Sequence, residues 1–492
     1  MEPEVRTAAG GLRGRAEDGV AVFRGIPFAR PPLGELRFAA PVPAEAWDGA
    51  RDCAAFGPPP PQAPSPMGVP VAERSGENWL TVNVWSPSLD AAAGLPVMVW
   101  IYGGAYRSGD AGESVYDGAV LAREGNAVVV TLNYRVGMEG FAHIEGAPAN
   151  RGLLDQVAAL EWVRDNVAAF GGDPGRVTVF GESAGAGSVA ALMAMPRAAG
   201  LFGRAIAQSV PGTYFSAPLA ADIGAVLAAE LGLRPTVADL AAVAPDRLVA
   251  AADAVTAKMP EYEDLWGPVA RTVTPFSPVV DGDVLPRDPW AALADGAARG
   301  VELIVGHNRD EYRLFTQTGR SAGPSADVLL RTFAPGLPYR DAFPGAEPEL
   351  LGELVRSDWL FRMPSLRLAD AQAAGGGRVH AYELTWASPV MGGALGACHA
   401  LDVPLVFGNL DSGMGRFFLG DSAPAEAESV SADFRRTWTA FAAGEGPGWA
   451  AYEPGRHLVR LFDTQPSVVP YPEETSRRLW SAHRFGELPL LT

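Results

Sequence analysis

Val177-Thr-Val-Phe-Gly181-Glu-Ser183-Ala-Gly185-Ala-Gly187 decides the fold class of this chain. Its first four residues form an apolar, β-branched run suited to a buried strand. A Gly-x-Ser-x-Gly turn comes next, and Val189, Leu192 and Met193 continue as an apolar helix. A serine on so sharp a turn is pushed out at the end of its strand. The glycines on either side let neighbouring backbone approach without clash. That placement suits a hydroxyl that attacks a carbonyl.

Other apolar runs repeat the strand signal. They are Leu95–Tyr102, Ala127–Leu132, Glu302–Val305 and Val379–Leu384. Continuous runs of this kind, rather than alternating ones, are expected in a parallel sheet covered on both faces. Between two of them, Leu153, Val157, Leu160, Val163 and Val167 recur at helical spacing, and Gly171-Gly172-Asp173-Pro174 stops the pattern. Strand, helix, strand in this order predicts an α/β fold. Segments 216–274 and 321–370 carry helical patterns without strong strands and read as lid-forming insertions into one domain spanning 1–492. Pro58–Pro66 reads as a rigid, polyproline-like loop.

In open α/β sheets, functional groups gather beyond the carboxyl ends of the strands. After Leu95–Ile101 comes Tyr102-Gly103-Gly104-Ala105-Tyr106, and after Val177–Phe180 comes Ser183. After Glu302–Val305 comes Gly306-His307-Asn308-Arg309-Asp310-Glu311. After Val379–Leu384, past a loop, comes Gly396-Ala397-Cys398-His399. A hydroxyl needs a base to become nucleophilic, and imidazole titrates near neutral pH. The imidazole needs a carboxylate to fix its tautomer and to stabilise the cation that forms. The oxyanion of a tetrahedral intermediate needs preorganised donors, for which the N–H groups of Gly104, Ala105 and Ala184 are candidates.

His399 is preferred over His143, His307, His380, His457 and His483 because it comes after both the acid and the last clear buried strand. His307 is a candidate wall residue. For the acid, Asp310, Glu311 and Asp281 compete, although Asp281-Gly282 fits a turn better. The order serine, acid, histidine is that of the α/β-hydrolases. No second histidine stands near His307 at ligand spacing, so neither a metal nor an organic cofactor is expected. Cys398 reads as a small packed residue beside the base.

The formal net charge of −18 disfavours nucleic acid and anionic membrane surfaces as partners. No apolar run approaches the roughly 18–20 residues that span a bilayer. The start, Met1-Glu-Pro-Glu-Val-Arg6, has no basic stretch leading into an apolar core, so no secretory leader is expected. Two cysteines, Cys53 and Cys398, are too few for a disulfide scaffold and fit a reduced, cytoplasmic setting.

Taken in order, the motifs resemble those of the type-B carboxylesterases, the family of bacterial para-nitrobenzyl esterases and cholinesterases. The resemblance runs through Phe23-Arg-Gly-Ile-Pro-Phe-Ala-Arg-Pro-Pro-Leu-Gly-Glu-Leu-Arg-Phe38, Leu80-Thr-Val-Asn-Val-Trp85 and Asn133-Tyr-Arg-Val-Gly137. It continues in Asn150-Arg-Gly-Leu-Leu-Asp-Gln156, Phe170-Gly-Gly-Asp-Pro174, Phe202-Gly-Arg-Ala-Ile-Ala-Gln-Ser209 and Phe276-Ser-Pro-Val-Val-Asp-Gly282. It implies an α/β-hydrolase fold and hydrolysis of small to medium carboxylic esters by water. Ser183 would be the nucleophile, Glu311 the acid and His399 the base. Gly104, Ala105 and Ala184 match its oxyanion positions, and Glu182 and Ser209 its supporting polar positions.

The chain departs from the family pattern in several places. The family's Ser-Glu-Asp-Cys-Leu is here Ser75-Gly-Glu-Asn-Trp79-Leu80, without the cysteine. The loop Pro61–Asn78 is short and lacks the tryptophan that would hold a choline cation. Tyr312 and Val210 stand where glycine is usual, which alters the pocket wall. Tyr106, Phe315 and Met391 are candidate wall residues. The same triad would also serve carbamate, thioester or amide cleavage. A non-catalytic binding module of the same fold is the alternative from a different class.

Overall fold

The computed structural model describes residues 2–62, 74, 76–319 and 323–492. Its centre is an eleven-stranded sheet. In chain order the strands are β1 (Arg15–Glu17), β2 (Val20–Pro27), β3 (Thr81–Ser86), β4 (Leu95–Ile101), β5 (Val128–Leu132), β6 (Gly172–Glu182), β7 (Arg204–Gln208), β8 (Glu302–Asn308), β9 (Val379–Leu384), β10 (Leu458–Phe462) and β11 (Ser467–Pro470). In space they run β11-β10-β9-β8-β7-β6-β4-β5-β3-β2-β1. From β5 through β4, β6, β7, β8 and β9 to β10, every neighbouring pair is parallel. The margins are antiparallel.

The apolar runs form the middle of this sheet because both of their faces are covered. All seven residues of β4 and all five of β5 are buried. On one face lie the helices Arg151–Asn166, Ala184–Ala194, Pro289–Ala294 and Met363–Ala374; on the other lies Ala425–Ala443. The helix read from Leu153 to Val167 is Arg151–Asn166, continued by a short 3₁₀ turn and ended by Gly171 in the left-handed region at φ 79°.

Both segments read as insertions carry helices. Residues 216–274 hold Ala217–Glu230, Pro245–Lys258 and shorter pieces. The segment 321–370 ends within the helix Met363–Ala374, which packs on β8 and β9 as part of the helical layer. Its first two residues lie outside the described residues. So does most of the proline-rich stretch after Gln62, together with much of the loop Pro61–Asn78.

Two of the quoted motifs meet in one buried contact. Arg135, after β5, grips Asp155 on the helix Arg151–Asn166 through Nε to Oδ2 and Nη2 to Oδ1, both at 2.8 Å. The Arg135 backbone N–H donates to the same carboxylate, and Arg135 Nη1 donates to Ala39 O. Both side chains are wholly buried. Removing one partner strands the other charge in the core. Asp155→Ala should therefore lower stability by about 3–5 kcal/mol. Denaturant unfolding checks this, and a loss below about 1 kcal/mol would contradict it.

Candidate active site

Ser183 stands between β6 and the helix Ala184–Ala194 with φ 57° and ψ −124°, a conformation few non-glycine residues adopt. Its neighbours explain how it is held. A Cβ on Gly185 would collide with Ile101 O, and one on Gly181 would lie 2.7 Å from the carbonyl carbon of Gly185. The Ser183 N–H donates to Gln208 O at 2.9 Å, tying the turn to β7.

The ends of β8 and β9 bring Glu311 and His399 to this serine. Ser183 Oγ lies 2.9 Å from His399 Nε2, and His399 Nδ1 lies 2.6 Å from Glu311 Oε2. The other Glu311 oxygen accepts from Ser209 Oγ at 2.5 Å and from the Asn308 N–H at 2.8 Å. Asp310 turns away, accepting from the Ala397 N–H at 2.9 Å and pairing with Arg313 at 3.0 Å. It thereby fastens the acid loop to the histidine loop. Asp281 closes its own turn by accepting from the N–H groups of Asp283 and Leu285.

Glu182 is buried beside the imidazole, with Oε1 3.1 Å from His399 Nε2 and without a well-aligned donor among the described residues. Burial pushes this carboxyl up to about 8. Burial also disfavours the imidazolium, but Glu182 and Glu311 outweigh it and raise His399 to about 9. Only the neutral form of His399 can accept a proton from Ser183.

Ser183 and His399 open into a cleft of about 870 Å³, its mouth included. Gly104, Ala105 and Ala184 border it, and their N–H groups donate to no protein acceptor among the described residues. Ala105 and Tyr106 both have φ of 58°, which bends this loop towards the serine. Tyr106 and Phe315 border the cleft. Met391 does not: it lies on a left-handed loop, is 60 % exposed and does not border the cleft. Tyr312 and Val210 are buried but also stand outside the lining.

The sequence reading missed Phe215, Thr272–Thr274, Phe276, Leu360 and Phe361, which complete the wall. Phe276 opens the quoted motif Phe276–Gly282, whereas Phe215, Thr272–Thr274, Leu360 and Phe361 lie in stretches with no motif, where Trp359-Leu-Phe361 is the visible signal. His307 is no wall residue. Its ring sits behind β8, with Nε2 2.9 Å from Tyr471 Oη and Nδ1 3.0 Å from Asn308 O. Cys398 is buried, and burial pushes its thiol up. Among the described residues, Glu182 and His399 are the only acidic or basic side chains bordering the cleft.

Known proteins share this arrangement of chain. The profile of the Carboxylesterase family matches residues 1–333. The para-nitrobenzyl esterase of Bacillus subtilis (strain 168) is 38 % identical over 96 % of this chain and 97 % of its own. The phenmedipham hydrolase of Pseudarthrobacter oxydans is 36 % identical, with 89 % of each chain covered. The solved structure of a thermophilic PNB esterase superposes with a TM-score of 0.86 at 35 % identity, covering 97 % of this chain and all of the other. With an α/β-hydrolase sheet and relatives of this identity over nearly its whole length, the chain belongs to the carboxylesterase family and is a carboxylic-ester hydrolase.

Proposed function

We propose that Ser183, His399 and Glu311 carry the hydrolysis through an acyl-enzyme on small to medium, uncharged esters. One observation carries this reading: an unbroken chain of contacts at 2.9 and 2.6 Å from Ser183 Oγ through the imidazole to Glu311. His399 Nε2 takes the serine proton as Oγ attacks the ester carbonyl. Glu311 holds Nδ1–H and stabilises the imidazolium. The N–H groups of Gly104, Ala105 and Ala184 receive the oxyanion, each such donor typically contributing about 10²–10³ in rate. His399 then returns the proton to the leaving alcohol. Water, deprotonated by the same nitrogen, releases the acid.

The apolar wall of Phe215, Phe276, Phe315 and Leu314 supports the preference for uncharged substrates, because a charged acyl group would lose its water without gaining a partner. Ser209 steadies Glu311, and Glu182 tunes His399. Residues 216–274 and 321–370 act as lid segments of a single domain, a reading supported by Thr272–Thr274 and Leu360, which border the cleft. The free, buried Cys53 and Cys398 support a reducing, cytoplasmic location, and relatives from bacteria support a bacterial source. A second reading keeps the same serine but acts on other acyl compounds. The likeness to a phenmedipham hydrolase favours it and places phenmedipham in the substrate panel.

Ser183→Ala keeps the backbone of the turn and should lower kcat by about 10⁶. Steady-state assay of a p-nitrophenyl ester checks this, and a folded variant with a tenth of the activity would contradict the assignment. The pH profile tests Glu182. kcat/KM rises as His399 loses its proton, and the negative charge of Glu182 favours the protonated form. Glu182→Gln should therefore move the acid limb of kcat/KM to lower pH by about 1 pH unit. A limb that stays in place or moves up would contradict this role.

A further inference from the structure

His399 is held in its own plane by Glu311 and Ser183, and those two contacts leave the ring free to roll about the line joining its nitrogens. A third contact opposes that rolling. The ring of Phe361 lies over the imidazole with centroids 4.1 Å apart and planes 26° apart. Phe315 closes in at 5.5 Å and is itself nearly parallel to Phe361.

Phe361 reaches this position through an unusual piece of helix. Between the helices Pro348–Ser357 and Met363–Ala374, residues Asp358–Arg362 form a π-helical turn, and all five are buried. Such a turn adds one residue to a helical course and re-aims the side chains around it. Polar contacts fix the turn from several sides. Arg362 Nε pairs with Asp358 Oδ1 at 3.1 Å, and Tyr339 Oη donates to Asp358 Oδ2 at 2.6 Å. The Gly212 N–H donates to Leu360 O at 2.8 Å, and the Tyr312 N–H donates to Ser357 Oγ at 3.0 Å. Gly212 lies just beyond Ser209, and Tyr312 is next to Glu311. The turn is therefore fastened to both loops that support the carboxylate. A buried ion pair adds little net stability, and its best-attested value is to specify one arrangement.

We infer that Phe361 is a positioning residue for His399, and that the π turn at Asp358–Arg362 exists to lay its ring on the imidazole. The inference rests on His399 being the base that carries the proton from Ser183 to the leaving group. Nε2 must meet two oxygens in succession, first Ser183 Oγ and then the departing oxygen. A ring free to roll meets the second one less often. Acidic leaving groups depart without that proton, whereas alkoxides and phenoxide need it.

The test compares phenyl and p-nitrophenyl esters of one acid, which have nearly the same shape, together with the ethyl ester. The variants are Phe361→Leu, Phe361→Met and Phe361→Tyr, each checked for folding by circular dichroism and thermal midpoint. Leu and Met should lose about tenfold more kcat/KM on the ethyl and phenyl esters than on the p-nitrophenyl ester. Tyr, which restores the aromatic face, should keep the wild-type ratio. Equal losses on all three esters, a change in KM alone, or an unchanged Leu variant would overturn the inference and leave Phe361 as pocket wall. If Leu unfolds, Met supplies the same comparison. Labelling of the wild-type protein by a fluorophosphonate at Ser183 is read separately. Its absence would overturn the triad itself, whatever the esters show.

Discussion

The close approach of Gly185 to the carbonyl of Ile101 is the constraint on which the rest of the site depends. No side chain fits there, so the helix Ala184–Ala194 starts directly against the end of β4 and Ser183 is forced to φ 57°. A residue held in that region costs about 1–3 kcal/mol and persists only where its surroundings over-determine it. Here the surroundings are β4, β6 and β7, three parallel strands covered on both faces. The strain recurs around the cleft. Of the eleven non-glycine residues with positive φ among the described residues, Ala105, Tyr106, Ser183 and Ala400 border the cleft and Ser209 bonds Glu311. The sheet supplies the rigidity that holds the loops at its carboxyl edge in these conformations.

Electrostatics is set by the same burial. Glu311 is fully buried, yet its oxygens are satisfied by His399, Ser209 and the Asn308 N–H. The contact with His399 holds the imidazole in one orientation. Glu182 is also buried, and its Oε1 has no well-aligned donor among the described residues; burial raises it. Two carboxylates beside one histidine thus sit in different surroundings, one among donors and the other against the imidazole.

Much of this was legible in the sequence because it rests on local rules. Continuous apolar runs marked β4, β5, β8 and β9, and the Gly-x-Ser-x-Gly turn marked the serine. Glu311 and His399 were marked by their places beyond the ends of β8 and β9. β7 escaped the strand reading: Arg204-Ala-Ile-Ala-Gln208 is short and carries only one large apolar residue, and its burial comes from β6 and β8 on either side. Met391 was misplaced because its loop runs through left-handed turns that carry it outward. His307 points behind the sheet, since alternate residues of a strand face opposite sides. Phe361 was invisible for a different reason. A π turn breaks the helical period on which pattern reading depends, so its contact with His399 exists only in three dimensions.

The acyl-enzyme on Ser183 is the central claim, and rapid quenching tests it most directly. The protein would be mixed with a p-nitrophenyl ester, stopped in acid within the burst of nitrophenol, and examined by intact and peptide mass spectrometry. The account predicts a mass gain of one acyl group per chain, located on the peptide that contains Ser183. Turnover with no acylated Ser183, or with the acyl group on another residue such as Cys398, would contradict it.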